Sequence, residues 1–250
     1  MKVSVITACY NSASTIEDTL RSVTGQDYPG IEYIIVDGES KDDTLAIVDR
    51  YRDKIAQIVS GKDGGIYFAL NKGISLATGD IIALLHSDDF YADNGVISRV
   101  VNCFREKQTD SVYGDLQYVD AADTKKVVRT WISGEYVHGK FRKGWMPPHP
   151  AFFLKRECYL QSGLFNTSFK TAADYELMLR MLHKEKRSTA YLPGVLVKMR
   201  TGGASNVTLK ARINANREDR RAWTINGLKP GPLTLLRKPL SKLGQFLKRG

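Results

Sequence analysis

Residues 81–85, Ile-Ile-Ala-Leu-Leu, form an unbroken apolar run that stops on His86-Ser87-Asp88-Asp89. A run with no polar alternation suits a strand buried on both faces, as in sheets covered by helices on each side. Open α/β sheets bind ligands outside the carboxyl ends of their strands, and this strand would deliver two adjacent carboxylates there. Hard divalent cations prefer such oxygens. An Asp-Asp pair equally suits a turn that caps a helix, so the pair alone leaves both roles open.

The rest of the first half keeps the same rhythm. Val3 to Thr7, Ile31 to Val36 and Ile55 to Ser60 are β-branched runs, and helical patterns cover Ser14 to Val23, Thr44 to Tyr51 and Ile66 to Ala77. Ser14-Thr15-Ile16-Glu17 has the spacing of a capping box. This alternation predicts βα units around a largely parallel sheet. Beyond it the pattern predicts a helix over Asn94 to Lys107 and strands over Ser111 to Val119 and Val127 to Trp131. An amphipathic helix should follow over Asp174 to Lys184, then a strand from Ala190 to Met199 broken at Pro193-Gly194. The expected organisation is one α/β domain over residues 1–208 and a basic amphipathic helical tail over 209–250.

Three strand ends offer chemistry. Thr7 to Asn11 supplies a hydroxyl, the Tyr10 ring and an amide; Asp37 to Ser40 supplies a carboxylate beside Gly38; His86 to Asp89 supplies the carboxylate pair. Together they suit a sugar nucleotide, with a base to stack, a ribose to hydrogen-bond and a diphosphate to neutralise through a divalent cation. Tyr10 is equally compatible with an aromatic at the edge of the core. No GxGxxG follows the first strand, which argues against a dinucleotide oxidoreductase. Thr7 to Ser14 holds no glycine or basic residue, which argues against a nucleotidyltransferase.

Thr7-Ala8-Cys9-Tyr10-Asn11, the stretch Glu32 to Thr44, Asp63-Gly64-Gly65-Ile66-Tyr67 with Asn71-Lys72-Gly73, Ala77-Thr78-Gly79-Asp80 and Ser87-Asp88-Asp89 occur in one order and spacing. In that combination the chain resembles the family 2 glycosyltransferases over about residues 1 to 205. The resemblance implies a GT-A fold, a Rossmann-like mixed sheet flanked by helices, and a nucleotide-diphosphate sugar donor, with uridine diphosphate preferred as the commonest in the family. It also implies Mn²⁺ or Mg²⁺ as cofactor and transfer with inversion. It assigns Thr7, Tyr10 and Asn11 to the nucleotide pocket, Asp37 to the base or ribose, and Asp63 and Asn71 to the same region. Asp88 takes the metal position, with Asp89 nearby, either on the donor sugar or behind the groups that touch it. The family's D-x-D carries an aspartate where this chain has His86.

The resemblance places Asp174 as general base, taking the acceptor hydroxyl's proton as the nucleotide diphosphate leaves, with Glu176 in reserve. Asp174 read alone equally suits a helix cap. His149, between Pro148 and Pro150 in a stiffened segment, is a candidate near diphosphate or acceptor, or else a residue of a simple turn. Arg200 and Ser205 bound a glycine-rich stretch able to close over phosphates.

Composition limits where such an enzyme works. Cys9, Cys103 and Cys158 are an odd number without a CxxC, which points to a reducing compartment rather than a disulfide scaffold. No apolar run approaches the roughly 20 residues that span a bilayer, and Met1-Lys2-Val3-Ser4 leads into a strand rather than a signal peptide. A cytoplasmic protein is expected. Of the net charge of +10, residues 210–250 contribute 11 basic and 2 acidic side chains, so the body is near neutral. In the tail, Leu233 to Leu247 interleaves leucines with basic residues, suiting an anionic membrane surface. The resemblance to the family, in turn, implies a glycan or lipid-linked acceptor of bacterial cell-surface polysaccharide synthesis, which such attachment would serve. A frayed end or a helix docked on the body remains the alternative. A nucleic-acid-binding protein using that tail and a catalytically inactive nucleotide-sugar binder are the rival functions. The neutral body without nucleic-acid motifs counts against the former.

Overall fold

The computed structural model describes residues 1–202, 209–231 and 234. In chain order the elements are β1 (Val3–Cys9), α1 (Ile16–Thr24), β2 (Ile31–Asp37), α2 (Thr44–Asp49), β3 (Gln57–Ser60), α3 (Ile66–Leu76), β4 (Ile81–Leu84), β5 (Asp89–Tyr91) and α4 (Val96–Lys107). There follow β6 (Ser111–Val119), β7 (Val127–Trp131), β8 (Phe152–Lys155), α5 (Arg156–Ser162), α6 (Ala173–Met178), β9 (Thr189–Arg200) and α7 (Leu209–Ile225). Among the described residues the strands form one mixed sheet in the order β3-β2-β1-β4-β8-β6-β9-β5, with β7 paired to the free part of β6. The first four are mutually parallel, β8 runs antiparallel to β4 and β6, and β9 runs parallel to β6.

The apolar runs account for this order. Every residue of β1 is buried, and its neighbours β2 and β4 are buried almost throughout, so these three occupy the middle of the covered part of the sheet. α1 buries Ile16, Leu20 and Val23, one per turn on one face. α3 lies on β1 and β2 through Ala69, Leu70, Gly73 and Ile74. Gly73 sets how close it comes, since a Cβ there would lie 2.4 Å from the Ile6 side chain. Each buried leucine or isoleucine contributes about 1.5–3 kcal/mol, so the stripe on a short helix decides where that helix docks.

Because β1 to β4 are parallel and in register, with Cys9 opposite Asp37 and Asp37 opposite Ser60, their carboxyl ends share one edge. β2 lies on one side of β1 and β4 on the other, so the strand order reverses at β1 and leaves a crevice above it.

Three local expectations change in the structure. The capping box at Ser14 does not form: Thr15 is the α1 N-cap, and its hydroxyl donates to the Ser87 carbonyl at 2.9 Å. The helix expected over Asp174 to Lys184 is α-helical only to Met178 and π-helical over Leu179–Lys184. The strand expected to break at Pro193-Gly194 runs through as β9, because β6 shifts register around Asp115 and the Asp115 carboxylate accepts from the Gly194 amide at 3.2 Å. A carboxylate there serves the ladder where proline has no N–H to give.

Glu32 ties the opposite edge of the sheet. It accepts from Lys2 Nζ at 2.6 Å, Ser4 Oγ at 2.5 Å and the Thr78 amide at 2.8 Å. Burial raises its pKa, but these hydrogen bonds outweigh burial and hold it at about 2, against an ordinary 4.5. A depressed folded-state pKa contributes stability that is present above the unfolded value and lost as the pH falls toward the folded one. The urea midpoint should therefore drop between pH 4.5 and pH 2, and Glu32→Gln should show a smaller drop over that window. Equal slopes in the two proteins would remove Glu32 from the acid response.

Candidate active site

Two cavities open at the carboxyl edge and share Ala8 and Ile66. The first, about 480 Å³, lies between the β1 and β2 ends and the start of α3, and Tyr10, Glu39, Lys41, Lys62 and Asp63 line it. Tyr10 is 62% exposed, so its ring is a platform at the cavity rather than part of the core. The second, about 420 Å³, lies beyond the β4 end and is lined by Tyr67, Asp88, His149, Lys170 and Asp174 over an apolar floor of Leu70, Phe152, Leu177 and Met178.

Several residues assigned to the nucleotide hold the first cavity together from behind. The Asp37 carboxylate is fully buried and accepts from Ser40 Oγ at 2.5 Å, Ser60 Oγ at 2.6 Å and the Glu39 amide at 3.1 Å. Burial raises its pKa, and these bonds outweigh it and lower the value. Asn11, in the left-handed region at φ 48°, accepts from the Lys41 amide at 2.8 Å. Thr7 is buried with its hydroxyl 3.2 Å from the Tyr33 phenol. Asn71 instead supports the second cavity, clamping the main chain of Phe165, which lines it, by donating to its carbonyl and accepting from its amide at 2.9 Å each. Of this group only Tyr10 and Asp63 line the first cavity, while the lysines at 41 and 62 do so without having been singled out. Lone lysines in loops are ordinarily solvated, so the sequence gives no signal for them.

In the second cavity three side chains form a chain. His149 Nδ1 is 3.2 Å from Asp174 Oδ2, and His149 Nε2 is 3.1 Å from His86 Nε2. The sheet register explains this meeting: β4 and β8 pair antiparallel with Ala83 opposite Phe153, so extending the pairing past the end of β4 brings His86 beside the turn that carries His149. Burial, followed by repulsion from His149, lowers the His86 pKa to about 4, so this imidazole is neutral near pH 7. With His149 donating through Nδ1 to Asp174, its Nε2 accepts from His86; this tautomer assignment follows from the bonding network. It leaves His86 Nδ1 as a buried acceptor with no partner among the described residues.

Asp174 is the second residue of α6, whose N-cap is Ala172, so its carboxylate does not cap the helix. It is 20% exposed and reaches into the cavity. Glu176 instead is buried in a pair with Arg180 at 2.9 Å and lies off both cavities. Tyr67 stacks on Phe165, and burial together with the Asp174 charge pushes its phenol up, keeping it protonated.

Asp88 lines the cavity while Asp89 turns inward on β5, fully buried, with neither carboxylate oxygen hydrogen-bonded among the described residues. Burial and then the Asp88 charge push the Asp89 pKa well up. Arg200 is also buried; it donates to the Asp88 carbonyl at 2.7 Å, pairs with Asp18 and packs over the Phe90 ring. It holds the Asp88 main chain and lies off both cavities. Ser205 and, within the tail, residues 232, 233 and 235–250 lie outside the described residues. α7 packs against α6 and buries Ala222 and Trp223 completely. No helix among the described residues is long and apolar enough to cross a membrane.

Residues 4–169 match the family described as Glycosyl transferase family 2. The chain belongs to this family. It is 32% identical over 181 residues to an uncharacterized glycosyltransferase of Mycobacterium tuberculosis, covering 71% of this chain and 68% of that one. It is 26% identical over 215 residues to the PGL/p-HBAD biosynthesis glycosyltransferase of Mycobacterium bovis, covering 81% of this chain and 78% of the relative. Among solved structures it resembles Staphylococcus aureus TarS in complex with UDP, at TM-score 0.68, 20% identity, 98% of this chain and 72% of that one. It also resembles the mannosyltransferase PcManGT from Pyrobaculum calidifontis in complex with GDP-Man and Mn²⁺, at TM-score 0.65, 21% identity, 98% of this chain and 70% of that one. This family 2 glycosyltransferase has the GT-A fold.

Proposed function

We propose that this glycosyltransferase moves a sugar, with inversion, from a uridine-diphosphate sugar to a hydroxyl of a glycan or lipid-linked acceptor of a bacterial cell-surface polysaccharide. It would work in the cytoplasm, with its basic tail on the inner face of the membrane. The observation that carries the reading is the continuity of the two cavities: Tyr10, Lys41, Lys62 and Asp63 line one, and Asp88 and Asp174 line the next. A nucleotide laid along the first places its diphosphate toward the lysines and Asp88, and its sugar toward Asp174.

Asp174 is the group to take the acceptor proton. With one oxygen held by His149 Nδ1, the other is left to meet the acceptor hydroxyl. Neutral His86 behind His149 fixes the imidazole without adding charge to the site. The apolar floor under Asp174 excludes water from the reacting carbon.

Asp88 suits a hard divalent cation held chiefly by the substrate, because among the described residues no group of three His, Cys, Asp or Glu side chains is arranged to hold a metal ion. Such a cation, Mn²⁺ or Mg²⁺, would neutralise the charge that the departing diphosphate gathers. His86 stands off from that role because its Nε2 faces His149 and its Nδ1 is buried.

The test is thermal melting of the purified protein against UDP, GDP, TDP, CDP and ADP, with and without Mn²⁺. A ligand at 100 times its dissociation constant adds about 2.7 kcal/mol, a shift of several degrees. UDP with Mn²⁺ should give the largest shift. A curve that no nucleotide moves in any metal condition would sink the donor site.

A further inference from the structure

α7 brackets Asp174 on both sides. The Glu218 carboxylate on this helix accepts from the amides of Lys170 at 2.9 Å, Thr171 at 2.8 Å and Ala172 at 3.0 Å, and from Thr171 Oγ1 at 2.8 Å. Arg221, one turn on, donates to the Ser168 carbonyl at 3.1 Å and to its hydroxyl at 2.8 Å, and packs over the Phe169 ring. After Asp174, Trp223 Nε1 donates to the Tyr175 phenol at 2.9 Å and Asn226 Nδ2 to Glu176 Oε1 at 3.0 Å. The chain on either side of Asp174 is therefore fastened to α7 and to Asn226, the residue that follows it.

Three consecutive amides converging on one carboxylate form a strong, directional grip. Burial raises the Glu218 pKa, and these bonds outweigh it and lower the value, so the carboxylate is charged when it holds the loop. That loop leads directly into Ala173 and Asp174, and Lys170 and Thr171 themselves line the second cavity. The sequence match to the family ends at residue 169, so neither α7 nor Asp174 falls within it.

We propose that Glu218 is a positioning residue: by gripping the amides of residues 170–172 it fixes the Asp174 carboxylate against His149 and toward the acceptor hydroxyl. The proposal rests on Asp174 acting as the base. It gives α7 a part in turnover that a basic helical tail would not have. Misplacing a reacting group by about 1 Å can cost on the order of 100-fold in rate, so a loosened loop should be felt in kcat rather than in donor binding.

The experiment uses the full chain labelled with [15N]histidine. The His149 Nδ1 resonance, assigned by its loss in His149→Gln, reports the contact with Asp174, and Asp174→Asn shows where the resonance goes when that carboxylate is absent. Glu218→Gln replaces one of the two accepting oxygens with an amide donor, which then faces a backbone N–H that the carboxylate had satisfied. It should move the His149 signal in the same direction as Asp174→Asn and cut kcat for UDP-sugar turnover, with water as acceptor, about ten- to a hundredfold. The melting shift given by UDP with Mn²⁺ should persist. Glu218→Asp, one methylene shorter, should give a smaller displacement of the same sign, and it decides the matter if the glutamine variant does not fold. An unmoved His149 signal and a kcat within twofold of wild type, alongside a lowered melting temperature, would make Glu218 a purely structural residue and overturn the proposal. If Asp174→Asn itself keeps full turnover, the base assignment fails instead, an outcome separate from any result at Glu218.

Discussion

Asp174→Asn should lower turnover of the UDP-sugar about 10²- to 10⁴-fold, the usual worth of a positioned general base. The substitution keeps the size and most of the hydrogen bonding of the side chain, so the fold and the donor cavity should survive it. His149 would still find an oxygen at its Nδ1, but that oxygen belongs to an amide that cannot take a proton from the acceptor. The loss should therefore fall on kcat, with the UDP-induced melting shift unchanged. Two measurements on the same preparation check this, a progress curve for UDP release and a melting curve. Turnover within a factor of three of wild type would remove Asp174 from the chemistry.

Asp88→Ala should have the complementary effect. This carboxylate is the acidic group that the β4 end delivers into the second cavity, since Asp89 beside it turns into the core. Without it, Mn²⁺ should no longer strengthen UDP binding, and the stabilisation of about 2.7 kcal/mol at 100-fold excess over the wild-type dissociation constant should largely vanish. The melting curve without ligand should stay near that of the wild type, because the Asp88 carbonyl, rather than its side chain, accepts from Arg200. Asp89→Asn offers the contrast. It alters a buried side chain that touches neither cavity, so its effect should appear in stability. A metal-dependent shift that survives Asp88→Ala would require another acidic group at the diphosphate.

The difference between those two neighbours shows where reading the chain as a string runs out. The apolar run of β4 and its abrupt polar ending are visible in sequence, and so is the alternation that builds β1 to β4, because burial on both faces leaves a one-dimensional record. The direction in which Asp88 and Asp89 point is set by β5, a strand of three residues paired with β9 more than a hundred residues away. No local pattern encodes that pairing. Thr7, Asn11, Asp37 and Asn71 are similar cases: each stands at a motif position, yet the structure uses its polar atoms on neighbouring backbone or side chains. The meeting of His86 with His149 depends on the antiparallel partner of β4, which is too short and too plain in sequence to announce itself. Asp174 was reachable through resemblance to a family, whereas the helix that braces it carries a charge pattern that reads as a tail.

Arg200 reaches from the end of β9 to the Asp88 carbonyl and to Asp18 on α1, while Thr15, the N-cap of the same helix, donates its hydroxyl to the Ser87 carbonyl. The turn beyond β4 is thus stitched to two distant elements before any donor arrives. Its conformational freedom is surrendered when the polypeptide folds, so an incoming nucleotide need not freeze it, and association there should proceed at a rate limited by encounter and desolvation rather than by loop rearrangement.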